Sequence, residues 1–168
     1  MKSIFITYLI INIFFSSSAL GKNLDAHIHG IINLDMAVDK NELLVMIKSP
    51  SESFLGFEYK ARTKEDISKV SKVKSDWKNN LFKFLGENSL SDCKVTKSSW
   101  NQIFKGENHS SILAESYILC TKSLAGRLLQ VSFKKSYTNI REINFQLIRE
   151  DGSFVNEKKK EEVFNILL

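Results

Sequence analysis

The chain has 168 residues, of which 43% are apolar, 26% charged and 11% aromatic, with a formal net charge of +5. This length and apolar share suit one domain with a buried core, and they exclude a globally disordered chain, which would be poorer in aromatics and richer in net charge. Seven Gly and one Pro exclude collagen-like and Pro-rich classes, and two Cys exclude a disulfide-dense miniprotein or a four-thiolate zinc finger.

Residues 1–21 read as a secretory signal peptide. Lys2 precedes an apolar run from Ile4 to Phe15, followed by the small residues Ser16, Ser17, Ser18 and Ala19, then Leu20 and Gly21. The run is shorter than the roughly 20 residues a spanning helix needs. Cleavage after Ala19 or Gly21 fits equally, and no other long apolar run follows. The expected mature chain, 22–168, therefore carries no membrane span and sits in the periplasm. It keeps 23 basic and 19 acidic residues, a mild net +4. The lysines are scattered, without an Arg cluster interleaved with aromatics, so nucleic acid is not an expected partner. They read as a solvated face.

From Ala26 to Val38 the apolar residues Ile28, Ile32, Leu34, Met36 and Val38 share one parity, and His27, His29, Asn33 and Asp35 share the other. That is the period of a half-buried strand. Asp39-Lys40-Asn41 signals a turn, 42–49 the returning strand, and Pro50 its end. A connector, 51–62, carries Phe54, Gly56, Phe57, Glu58 and Tyr59. Thr63 and Asp66 fit a capping box. Ile67, Val70, Val73, Trp77, Leu81, Phe84 and Leu85 then recur at helical spacing, predicting one amphipathic helix over 64–85 that Gly86 stops.

Beyond it the pattern is one of strands. Cys93 to Lys97 is a short one, and Trp100 to Phe104 a loop or edge strand. Ile112 to Thr121 and Arg127 to Phe133 follow. A hairpin over Asp151-Gly152 joins 142–149 to 153–156, and 161–167 closes the chain as strand or short helix. The expected fold is a single α+β domain, an antiparallel sheet with one main helix packed on it.

Cys93 and Cys120 are the only cysteines. Export would place them in an oxidising compartment, where a disulfide is the leading reading and free thiols or thiolate ligands the alternatives. His27 and His29 project from one strand face about 6.5–7 Å apart, so their imidazoles are candidate zinc ligands, as are His109 and the carboxylate of Asp25, with Asp35 also near enough in sequence to supply an oxygen. The bland alternative is a pair of partly exposed polar residues at a strand start. No nucleophile elbow, no His-Glu-x-x-His and no phosphate-cradling Gly-rich loop is present, so an enzyme is not expected.

The stretch 25–59 resembles the start of the ZrgA-type periplasmic zinc-binding family, in Ala26, His27, His29, Gly30, Pro50, Gly56, Phe57 and Glu58. The likeness continues to Cys93 and through Glu115-Ser116-Tyr117 to Cys120. It implies a secreted Gram-negative protein that binds zinc and works beside the components of a zinc uptake system. Relatives carry a central His/Asp/Glu-rich segment that binds zinc. The matching stretch here, 94–116, holds one His, His109, and few acids. The resulting expectation is a non-catalytic zinc-binding accessory protein, with a metal-free envelope interaction module as the rival.

Overall fold

A computed structural model describes residues 28–79, 82–85 and 92–168. The expected signal at 1–21, together with Asp25, His27, Leu81 and Gly86, lies outside the described residues.

The hairpin forms as its alternation requires. Strand β1 spans Ile31–Asp39 and β2 spans Glu42–Pro50, joined at Lys40, whose φ is +55°. Ile32, Leu34, Met36 and Val38 are buried, as are Leu43, Val45 and Ile47 opposite them. The strand starts later than the sequence pattern suggests. Ile28 is 56% exposed, and His29 and Gly30 form a turn closed by the Ile31 N–H donating to the Ile28 carbonyl at 3.2 Å.

Helix α1, Glu52–Leu55, is a single turn within the expected connector, ended by Gly56 in the left-handed region. Helix α2 spans Lys64–Asn79. Its capping box is reciprocal: the Asp66 N–H donates to Thr63 Oγ1 at 3.1 Å, and the Thr63 N–H donates to Asp66 Oδ2 at 3.2 Å. The apolar stripe is narrower than its spacing suggested. Val73 and Trp77 are buried, whereas Ile67 is 53% exposed.

The helix also ends earlier than predicted. Phe82–Leu85 forms strand β3, because Phe82 and Phe84 satisfy a two-residue alternation as well as a helical one. Phe84 pairs with Leu129, which pairs with Ile166, a buried row across the small sheet.

Strand β4, Cys93–Lys105, is one continuous edge strand that joins the expected short strand to Trp100–Phe104, where the edge-strand alternative holds, and its register slips between Val95 and Lys97. Strand β5 runs His109–Cys120 and β6 Leu128–Val131. A one-turn helix α3, Phe133–Ser136, replaces the end of the predicted strand. Strands β7, Glu142–Ile148, β8, Phe154–Lys159, and β9, Phe164–Leu167, complete the chain.

Two sheets result. The larger runs β4-β5-β2-β1-β7-β8 and the smaller β3-β6-β9. All pairs are antiparallel except β1 with β7, which is parallel. Register puts Ala114, Ile47, Leu34 and Phe145 in one buried row across four strands. Phe145 meets Phe164 edge-on at 6.2 Å, tying the two sheets together. Phe82 lies edge-on to both Trp77 and Phe133, joining α2 and α3 to the core. The described residues are thus predominantly β, 52% strand against 17% helix, rather than an even α+β mixture.

Cys93 and Cys120 are register partners on β4 and β5 and form a disulfide. The thiol and thiolate alternatives are thereby set aside.

Candidate metal centre

Gly30 positions the first imidazole. Its φ is +77°, and a Cβ there would meet Arg141 Nε and the Asn139 carbonyl at 2.7 Å each, so only glycine lets the chain turn this close to the segment before β7. The Arg141 and Glu142 N–H groups both donate to the Gly30 carbonyl, and the Arg141 guanidinium donates to the His29 carbonyl. His29 therefore sits in an anchored turn, not on the β1 face that the sequence pattern assigned to it.

The second imidazole arrives from far along the chain. His109 opens β5, and the backbone around it is pinned to the connector. The Ser51 N–H donates to the Ser110 carbonyl at 2.9 Å, and the Ser110 hydroxyl donates to the Glu58 carbonyl.

Between them lies Glu58, 8% exposed. His109 Nδ1 is 2.9 Å from Glu58 Oε2, and His29 Nδ1 is 4.0 Å from Glu58 Oε1. Glu52, on the first turn of α1, brings Oε2 to 3.4 Å from His29 Nδ1. Both imidazoles remain more than half exposed.

In type, these donors are ones that zinc takes. Zinc takes imidazole nitrogen and carboxylate oxygen at about 2.0–2.2 Å, so two donors on one tetrahedral ion stand roughly 3.3 Å apart. The observed N–O separations bracket that value. Glu58 Oε1 and Glu52 Oε2 are buried and accept no hydrogen bond among the described residues, a cost that a cation would offset. The shell is open as it stands: among the described residues no three His, Cys, Asp or Glu groups form a metal-ready cluster.

Of the residues the sequence nominated, the structure brings His29 and His109 to one carboxylate. His27 and Asp25 lie outside the described residues. Sequence reasoning did not nominate Glu58 or Glu52 as candidate ligands. Glu58 did stand in the Gly56-Phe57-Glu58 motif, and an acid flanked by aromatic residues was the available signal.

The family described as ZrgA family zinc uptake protein matches the chain over residues 26–163. The chain belongs to this family. Its function is accordingly related to zinc, and the matched region contains every residue of the candidate centre. No curated protein matches the chain. Among the described residues no helix is long and apolar enough to cross a membrane.

Proposed function

We propose that this ZrgA-family chain is a periplasmic, non-catalytic zinc-binding protein that serves zinc uptake across the envelope, with zinc as cargo. The observation that carries the reading is the meeting of His29 and His109 at the buried Glu58 carboxylate. Two imidazoles and two carboxylates are donor types that zinc takes, and the open arrangement of these groups would have to draw together around the ion. The imidazoles face outward, so an ion has an entry path, while the carboxylates are held from below.

Zinc requires neutral imidazole, so binding weakens in acid. Equilibrium zinc titrations of wild type and a His29→Ala, His109→Ala double variant, at about pH 7.5 and about pH 5.5, test the reading. Site binding is expected only for wild type at the higher pH. Equal binding by both proteins would remove these imidazoles from the ligand set. It would favour the metal-free interaction module, for which exposed Ile103 and Phe104 on edge strand β4 speak. Mass spectrometry of protein recovered from the periplasm checks export: the N-terminus is expected between Ala19 and Asn23.

A further inference from the structure

A second feature lies away from the candidate metal centre, where the last two turns of α2 cross β4. A cleft of about 370 Å³ opens there, walled by Lys74, Lys78, Lys97 and Trp100, with Thr96 and Ser98 between them. No Asp or Glu is among its lining residues.

The ion pairing of α2 makes this cleft distinctive. Lys69 is paired with Glu65, and Lys72 with Asp76, each one helical turn away. Lys74, Lys78 and Lys97 have no carboxylate partner among the described residues. Lys74 instead lies 5.2 Å from the Trp100 ring centroid, and Lys97 lies 5.4 Å from that of Tyr117. The sequence reads these helix lysines as one solvated face, but the fold divides them. One group is neutralised in place, and the other is gathered from two elements around one cavity.

Three ammonium groups sharing a cleft repel one another unless an anion joins them. The aromatic contacts hold two of the ammonium groups against ring faces, which limits their freedom to disperse into solvent. The register slip between Val95 and Lys97 falls in the cleft wall, and β4 is the outer strand of its sheet. An outer strand leaves alternate main-chain N–H groups without ladder partners, as further donors. The Thr96 hydroxyl already donates to the Tyr117 carbonyl, and that of Ser98 is bonded to Ser116, so the cationic points and the free N–H groups are the chemistry that takes phosphate oxygens. The volume admits more than a single phosphate group.

We propose that this α2–β4 cleft binds a multiply charged, phosphate-bearing anion. The shared chemistry has two sources, a soluble phosphate compound or the phosphorylated headgroups of an anionic membrane.

The test exploits the chain's tryptophans. Trp77 and Trp100 are the only two, and both line the cleft, so tryptophan fluorescence reports on it. The purified full-length chain is titrated with pyrophosphate against sodium chloride of equal ionic strength. In parallel, it is sedimented with vesicles of phosphatidylglycerol and phosphatidylcholine, and with phosphatidylcholine alone. A saturable change with pyrophosphate is expected. Lys78→Gln with Lys97→Gln should raise the half-saturating concentration by at least about tenfold, and Lys135→Gln on α3 should leave it unchanged. Vesicle binding that needs phosphatidylglycerol and is lost in the same double variant would support the site with headgroups as the source. A pyrophosphate response matched by sodium chloride, or shared by the double variant, together with no such vesicle binding, overturns the proposal.

Discussion

His109 and Glu58, separated by 51 residues, meet with Nδ1 2.9 Å from Oε2. A carboxylate in this position is poorly placed as a purely structural group, because its other oxygen is buried and accepts no hydrogen bond from the described residues. Glu58→Gln keeps the shape and removes the charge. Zinc affinity is expected to fall by more than about tenfold, while stability to urea without zinc stays equal or rises. Isothermal titration and urea unfolding of the same samples check both halves. A large loss of stability with unchanged zinc affinity would make Glu58 a structural residue instead.

Gly30→Ala is expected to affect the fold and the centre together. A φ of +77° and the 2.7 Å approaches to Arg141 and Asn139 should cost on the order of 1–3 kcal/mol. The turn that carries His29 must then shift, so zinc affinity should fall as well. Gly126→Ala, whose Cβ would meet nothing within 4 Å, provides the control for backbone strain alone and should leave zinc binding intact.

Trp77 and Lys78 separate core from surface on one helix. Trp77 is 4% exposed and its indole N–H donates to the Glu115 carbonyl at 3.4 Å. Trp77→Ala should destabilise by about 3–5 kcal/mol, and Lys78→Ala by no more than about 0.5 kcal/mol. Chemical denaturation followed by circular dichroism measures the difference.

The disulfide closes a loop with a sequence separation of 27 residues, for which chain entropy gives roughly 3.6 kcal/mol. A Cys93→Ser, Cys120→Ser double variant should lose about that much, and thiol labelling of unfolded wild type should find no reactive cysteine.

Asp35 stands on the open face of the large sheet, beside Met46 and Gln146. Burial pushes its carboxyl above the usual carboxylate range. A folded-state pKa raised above the unfolded one contributes stability that is present at low pH and lost as pH rises through the folded value. Asp35→Asn should therefore raise the unfolding midpoint at neutral pH, and the advantage should vanish in acid below the ordinary carboxylate range. Thermal unfolding across that span tests the sign.

The legible parts of this fold are those whose signals are local. Ile32 to Val38 alternate, and their strand forms. Thr63 and Asp66 are three residues apart, and their capping box closes. The helix end was ambiguous because Phe82 and Phe84 satisfy two periodicities, and tertiary pairing with Val131 and Leu129 decided for strand. His29 lost its predicted strand face because Gly30 turns the chain at that point. Glu58 was legible as part of a motif but not as a ligand, since its role depends on a histidine delivered from the start of β5. No local pattern announces such a meeting, nor the parallel match of β1 with β7.

That parallel match also bears on how the chain reaches its native state. Ile31 pairs with Glu142, so one whole side of the first strand waits for a segment encoded more than a hundred residues later. Pairings of such high sequence separation slow folding, and until they form β1 presents an open strand edge to other chains. For a polypeptide that emerges N-terminus first, whether from a ribosome or through a narrow pore, the hairpin can assemble early, but the large sheet cannot close until most of the chain has arrived. Partly emerged chains are therefore the species most exposed to aggregation, and a helper that shields the free edge of β1 would raise the yield of folded protein without touching its final stability.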